Sequence, residues 1–217
     1  MNKTDLQLKQ DIEQELLWDP KVNSALVAVS VDQGAVSLLG AVDTYPEKWA
    51  AEAATKRVQG VRTVALDLTV KVLAEHVRSD SEIATAVQGA LEWDVFVPKT
   101  VTATVNNGSV TLGGEVPLNY QREAAERAIR HSMGVVAVYN TIAIRPQASA
   151  SQVKEKVEAA LERRGTADAK TIHVDTAGGT VTLTGRASHW QSIEHASNAA
   201  WASPGVTEVL NHVQMSA

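Results

Sequence analysis

The 217-residue chain has no cysteine, which removes disulfides, thiolate nucleophiles and cysteine-ligated metals from consideration. Aromatic residues make up only 4%, with a single phenylalanine, so any core must be assembled from small and branched aliphatic side chains. Long apolar runs are missing as well. No stretch approaches the roughly 20 apolar residues that span a bilayer, and the opening "MNKTDLQLKQDIEQ" has no continuous apolar segment of the kind secretion requires. The expectation is a soluble, cytoplasmic protein. A basic excess is also lacking: residues 1–72 carry 8 basic and 10 acidic groups, 73–148 carry 6 and 8, and 149–217 carry 6 and 7. No segment has the charge of a general nucleic-acid binder.

What the chain does have is one phrase said three times: "DQGAVSLLGAV" at 32–42, "NNGSVTLGGEV" at 106–116 and "AGGTVTLTGRA" at 177–187. Alignment puts Gly34, Gly108 and Gly179 in one column and Gly40, Gly114 and Gly185 in another. A third glycine, Gly60, Gly134 or Gly205, follows 20 residues after each of the latter. The period, 74 and then 71 residues, exceeds that of solenoid repeats and predicts a small domain per copy.

Each copy opens on an i, i+4, i+8 aliphatic ladder (Leu8, Ile12, Leu16; Ile83, Val87, Leu91; Val153, Val157, Leu161), the mark of a helix burying one stripe. Asp80 or Ser81 is the candidate N-cap in the second copy and Ser149 or Ser151 in the third. Alternation at Val27, Val29, Val31 and its equivalents then predicts a strand. The glycine turn closes a hairpin of type I′ or a related kind, and the return strand points Val36 and Leu38, Val110 and Leu112, or Val181 and Leu183 inward. An alanine-rich helix follows, whose small stripe (Ala51, Ala54, Val58 and their counterparts) permits close approach to the sheet. Gly60, Gly134 and Gly205 are expected to end it as C′ glycines, and a last strand completes the unit. The predicted fold class is therefore α/β of the α+β type: three tandem α-β-β-α-β modules at 1–72, 80–144 and 150–217. Each has two helices packed on one face of a three-stranded mixed sheet, with a right-handed crossover.

This pattern of helix, "V-x-V-x-x-x-G-x-V-x-L-x-G-x-V", alanine-rich helix and "GV-x-x-V" resembles the BON domain family (bacterial OsmY and nodulation), in three copies across nearly the whole chain. The third copy departs modestly, with Ala187 for the closing valine and Thr176 ending its first strand. The resemblance implies an α/β module of bacterial proteins tied to the envelope, to osmotic stress or to phospholipid association. It implies no catalysis, and it makes the periplasm the alternative location. Its motif residues, the nine glycines above, carry over as structural markers and not as a binding site.

Chemistry is otherwise sparse. No Walker loop occurs, and Gly113-Gly114 and Gly178-Gly179 sit in or beside strand patterns instead of opening a helix. The histidines at 76, 131, 173, 189, 195 and 212 form no helical H-x-x-x-H pair. No cofactor is called for and no enzyme is expected; Asp19, Glu92 and Asp94 read as solvent-facing charges.

The tryptophans are more informative. Trp18 in "LLWDP" and Trp93 in "LEWDV" both end a first helix, whereas the third copy reads "LERRG", with Arg163 and Arg164 there. A residue needed by the module's core would appear in all three, so a copy-specific contact is one reading. Wedging against a neighbouring module, or covering their own core, is the other. Trp49, Trp190 and Trp201 fall at non-equivalent positions in the second helices, where packing between modules is the expected use. Arg122, Arg127, Arg130 and His131 cluster in the second copy's alanine-rich helix. They suit anionic headgroups, or alternatively ion pairing of Glu123 with Arg127 and Glu126 with Arg130.

The functional expectation is a non-catalytic, stress-associated binding module for phospholipid surfaces or envelope components. Trp18, Trp93, Arg122, Arg127 and Arg130 are its candidate contacts with lipid or a protein partner. The chain's overall acidity opposes long-range attraction to anionic lipid, so binding would need a local patch and tryptophan insertion. The alternatives are a sensor or scaffold responsive to a metabolite or to an ion such as potassium, and a chaperone-like surface presenting a contiguous apolar patch to protein clients.

Overall fold

The computed structural model describes residues 3–145, 153–163, 171–203 and 205–216, and for 153, 156 and 161–163 the backbone alone. The first repeat runs α1 (Asp5–Trp18), β1 (Val27–Asp32), β2 (Ala35–Val42), α2 (Tyr45–Arg57), β3 (Thr63–Val70). The second is α3 (Asp80–Trp93), β4 (Thr102–Asn106), β5 (Ser109–Gly113), β6 (Glu115–Val116), α4 (Asn119–Ile129), β7 (Ala137–Asn140), β8 (Ala143–Ile144). The third is α5 (Val153–Arg163), β9 (Ile172–Ala177), β10 (Thr180–Ala187), α6 (Trp190–Trp201), β11 (Glu208–Met215). Backbone contacts group the chain into two compact units, one of Met1–Ala90, Ala103–Thr111 and Ala128–Tyr139, the other of Leu91–Thr102, Leu112–Arg127 and Asn140–Ala217.

The expected mixed sheets are present. β2 is central, antiparallel to β1 and parallel to β3, and β10 stands in the same relation to β9 and β11. In the second repeat the order is β4-β5-β7, with β6 and β8 forming a separate parallel pair. This interruption was not expected. At the break Thr141 gives both its N–H and its hydroxyl to the Leu112 carbonyl, at 2.8 and 2.6 Å, and the Asn140 side chain accepts from Ile142. The Thr141 N–H thus keeps a backbone bond to the central strand, its hydroxyl and the Asn140 side chain add local bonds, and pairing resumes with Ala143 N–H on Gly114.

Both helices of the first repeat pack on one sheet face. Leu8, Ile12 and Leu16 of α1 and Ala51 and Ala54 of α2 share one core with Val27, Val29, Val36, Leu38 and Leu68. In the third repeat Val157, Ala196 and Ala199 meet Ile172, Val174, Val181 and Leu183. Ile83, Val87, Leu91, Val110 and Leu112 are likewise buried. Val153 and Leu161 lie outside the described side chains. Ala187 is fully buried in place of the family's valine, so that departure leaves the core closed. The other sheet face of the first repeat is open to water at Ala28, Ser30 and Asp67.

Two expectations about helix ends are corrected. The second repeat's N-cap is Ser79, not Asp80 or Ser81: Ser79 N–H donates to Glu82 Oε2 at 2.8 Å and Glu82 N–H returns to Ser79 Oγ at 3.4 Å. Thr4 and Gln7 make the same reciprocal box at α1. A glutamate or glutamine three residues on decides the cap, and only Ser79 in its copy has one. Ser149 and Ser151 lie outside the described residues.

Gly60, Gly134 and Gly205 are not C′ residues either. The helices end earlier, and each glycine sits third in a β-turn closed by Val61 N–H on Val58, Val135 on Ser132 or Val206 on Ser203. Their φ values of 106°, 85° and 93° suit that position.

The phrase repeated at 32, 106 and 177 has its physical reason in this packing. A Cβ on Gly40, Gly114 or Gly185 would collide with the carbonyl oxygen of Leu26, Thr100 or Thr171, so no side chain fits. The turn glycines approach the later glycines: a Cβ on Gly34, Gly108 or Gly179 would lie 3.0, 2.8 or 3.0 Å from the carbonyl oxygen of Gly60, Gly134 or Gly205. In the first two hairpins both central residues have positive φ, Gln33 with Gly34 and Asn107 with Gly108, the type I′ pattern. In the third only Gly178 does, and Gly179 is needed for space alone.

Candidate functional site

Helical geometry places the two candidate tryptophans outward. Leu16 closes the buried stripe of α1, and Trp18, two residues on, points about 200° away from it; Trp93 stands in the same relation to Leu91. Trp18 is 85% and Trp93 88% exposed. At that exposure neither indole covers its own module's core. The cores of the first two repeats close without an indole at this place. Arg163 and Arg164 of the third repeat lie outside the described side chains.

The loop behind each tryptophan is stapled by the next residue. Asp19 Oδ1 accepts from Lys21 N–H at 3.1 Å, and Asp94 Oδ1 accepts from Phe96 N–H at 2.9 Å. Asp19 also meets Arg57 at 3.1 Å, and Arg57 reaches Glu15 at 2.9 Å. These aspartates are therefore braces and not free surface charges, because a carboxylate just past a helix end can accept the backbone N–H two residues on. Burial raises the Asp19 carboxyl, but the Lys21 N–H and Arg57 outweigh it and hold the group below its ordinary range.

The two tips differ in breadth. Trp93 adjoins Val95 (89% exposed) and Phe96, whose ring meets Tyr120 edge-on at 6.1 Å between centroids. Sequence reasoning passed over Val95, Phe96 and Tyr120, although "WDVF" carries three apolar side chains in four residues. Trp18 has exposed Leu17 for company and walls a shallow groove of about 560 Å³, lined also by Lys3, Asp11, Glu15 and Arg57.

Two of the candidate arginines stack on indoles. The Arg130 guanidinium lies 4.1 Å from the centre of the Trp49 ring, and that of Arg122 4.9 Å from the Trp201 ring. The second repeat's helix thus touches an indole of the first repeat with one arginine and an indole of the third with the other, which realises the packing expected of Trp49 and Trp201. Trp190 instead donates to Glu194 of its own helix at 3.1 Å. Arg127 is exposed. Glu123 accepts from Asn119 at 2.7 Å and Glu126 from Asn140 at 3.3 Å.

Among the described residues no group of three or more histidines and carboxylates could hold a metal, and no helix is long and apolar enough to cross a membrane. The repeated helix-and-sheet unit presents apolar side chains at the ends of its first two opening helices. The chain belongs to the BON domain family, whose model matches residues 4–72, 79–146 and 149–217.

That membership supports a non-catalytic binding module. Similar solved structures include two of CdsD, a structural protein of the type III secretion system of Chlamydia trachomatis. One is 18% identical over 96% of this chain and 92% of that one, and the other, its C-terminal domain, is 17% identical over all of both; each has a TM-score of 0.27. No curated protein matches.

Proposed function

We propose that this protein is a stress-associated, peripheral binder of phospholipid surfaces, docking through Trp18 and Trp93. The observation that carries the reading is that these two indoles, at equivalent helix ends, are almost fully in water. Each presents roughly 150–250 Å². At ~25 cal/mol per Å², transferring even half of that to the membrane interface supplies on the order of 2–3 kcal/mol apiece. The loop braces at Asp19 and Asp94 hold both tips in place, so little ordering cost is added on docking.

Vesicle co-sedimentation tests this. Trp18→Ala and Trp93→Ala should each weaken binding about thirtyfold or more, the equivalent of about 2 kcal/mol, with unchanged circular dichroism because both side chains are exposed. Retention of full vesicle binding by the double variant would refute the reading.

A second reading draws on exposed Trp93, Val95, Phe96 and Tyr120, the last two in ring contact, as a site for a protein client. It predicts that suppression of client aggregation is lost with Trp93→Ala and Phe96→Ala, and is kept with Trp18→Ala.

A further inference from the structure

The tip of the β4–β5 hairpin carries a chemically labile peptide step. Asn107 alone of the chain's eight asparagines precedes a glycine. With no Cβ to crowd it, the Gly108 nitrogen can approach the Asn107 side-chain carbonyl more freely than the nitrogen of any other residue type. Asn107 is exposed to water and left-handed, with φ 49°. Hydrogen bonds oppose that approach in the folded chain. The Gly108 N–H donates to Asp80 Oδ1 at 2.9 Å and the Asn107 N–H to Asp80 Oδ2 at 2.8 Å, so the attacking nitrogen must first let go of a carboxylate. The same carboxylate disfavours loss of the nitrogen's proton, because a negative charge beside it destabilises the amide anion. The Asn107 Nδ2, which would be the leaving group, donates to Asn106 Oδ1 at 2.7 Å.

We propose that Asn107 is a site of spontaneous covalent modification, gated by the Asp80 carboxylate that holds its turn shut. The reaction runs from a local opening of the turn. Gly108 N bonds to Asn107 Cγ and a base in solution takes the Gly108 proton. The Cγ–Nδ2 bond breaks, and Nδ2 leaves with a proton from water as ammonia. The cyclic imide that remains is opened by water at either carbonyl, which leaves aspartate or isoaspartate at 107. Isoaspartate lengthens the main chain by a methylene in a closely packed place, since a Cβ on Gly108 would already lie 2.8 Å from the Gly134 carbonyl oxygen. Either product adds a negative charge to a turn bonded to a carboxylate, so the modified turn holds α3 less well. The other repeats lack this step. Asp5 clamps Gln33 and Gly34 in the same way, but glutamine would have to close a larger ring, and the third turn has Gly178 in the asparagine's place.

The experiment incubates the full chain in mildly alkaline buffer and reads residue 107 by peptide mass mapping and by isoaspartate-specific enzymatic methylation. The natural chain should modify slowly at Asn107 and leave Gln33 intact. Asp80→Ala should speed modification at Asn107 by about fivefold or more, because losing a charged acceptor raises the population of the open turn by that factor. Asp80→Asn keeps one acceptor oxygen in place of two and should also modify faster than the natural chain. It serves as the test if circular dichroism shows that the alanine variant does not fold. Ile144→Val trims a buried side chain of the same repeat and leaves the clamp's atoms in place, so it should keep the natural rate. A rate at Asn107 unchanged in the folded Asp80 variants would overturn the proposal. So would an equal acceleration in Ile144→Val, which would make global unfolding the gate, or no modification of Asn107 in any of these chains.

Discussion

The carboxylate of Asp80 receives the N–H of Gly108 at 2.9 Å and that of Asn107 at 2.8 Å, tying the first turn of α3 to the tip of the β4–β5 hairpin. Asp5 does the same for Gln33 and Gly34 at 2.8 and 3.2 Å. The left-handed backbone of Gln33, unusual for a residue that is neither glycine nor asparagine, is held by this clamp. Asp80→Ala leaves two turn N–H groups without their acceptor and removes an acid from a helix N-terminus. The expected loss is ~1–3 kcal/mol, read from the urea midpoint. Asp5→Ala should behave alike.

Two glycine-to-alanine changes should move stability in opposite directions. At Gly114 (φ 101°) the added methyl meets the Thr100 carbonyl, so backbone strain and overpacking together should cost about 3 kcal/mol or more. Gly89, inside α3, has nothing within 4 Å of an added Cβ, and Gly89→Ala should stabilise by ~0.5–1 kcal/mol. Denaturant titration of the two variants side by side checks both signs.

The Arg130–Trp49 stack joins the second repeat to the first. A double-mutant cycle of Arg130→Ala and Trp49→Ala should return a coupling of ~0.5–2 kcal/mol. A coupling of zero would mean that the stack contributes nothing.

The Asp19–Arg57 pair sets a pH dependence. A carboxyl whose folded-state pKa lies below its unfolded value adds stability above the unfolded value and loses that contribution as pH falls through the folded one. Asp19 is lowered from its ordinary 3.8. Arg57→Met should therefore be less stable than the natural chain at neutral pH, by ~0.2–1 kcal/mol for a partly exposed pair. The gap should narrow in acid, below about pH 3.8. Thermal melts from neutral pH down to acid measure it.

We also propose that the repeats at 1–72, 80–144 and 150–217 act as separate modules. The first repeat's core, from Leu8 to Leu68, is drawn wholly from its own residues. Residues 1–72 expressed alone should unfold in a single cooperative transition, and a non-cooperative melt would refute this.

Helices and sheet order were legible because the periodicities that encode them are local: Leu8, Ile12 and Leu16 announce a buried stripe by spacing alone. The capping boxes are equally local, in "TDLQ" and "SDSE", but Asp80 competes for the role on sequence alone, although its carboxylate faces a turn 27 residues away. That clamp has no sequence signal, since it needs the fold to bring its partners together. Trp18 lay in between. Its outward direction follows from its angle to Leu16, whereas its freedom from neighbouring elements does not. The stacks on Trp49 and Trp201 depend on contact between repeats and were legible only as a residue type in search of a use.

In the first and third repeats the parallel pairing of the central strand with the last strand, Ala35 opposite Thr63 and Thr180 opposite Glu208, joins residues 28 apart. On a ribosome adding about 5–20 residues per second, that edge waits roughly 1–6 s for its partner. All the while it is open to strangers. The three central strands are near copies of one another, so a last strand from the wrong repeat, or from a second chain, can take the vacant place. Strand exchange is the misfolding hazard this architecture creates, and it is greatest when synthesis is slow and the protein is abundant.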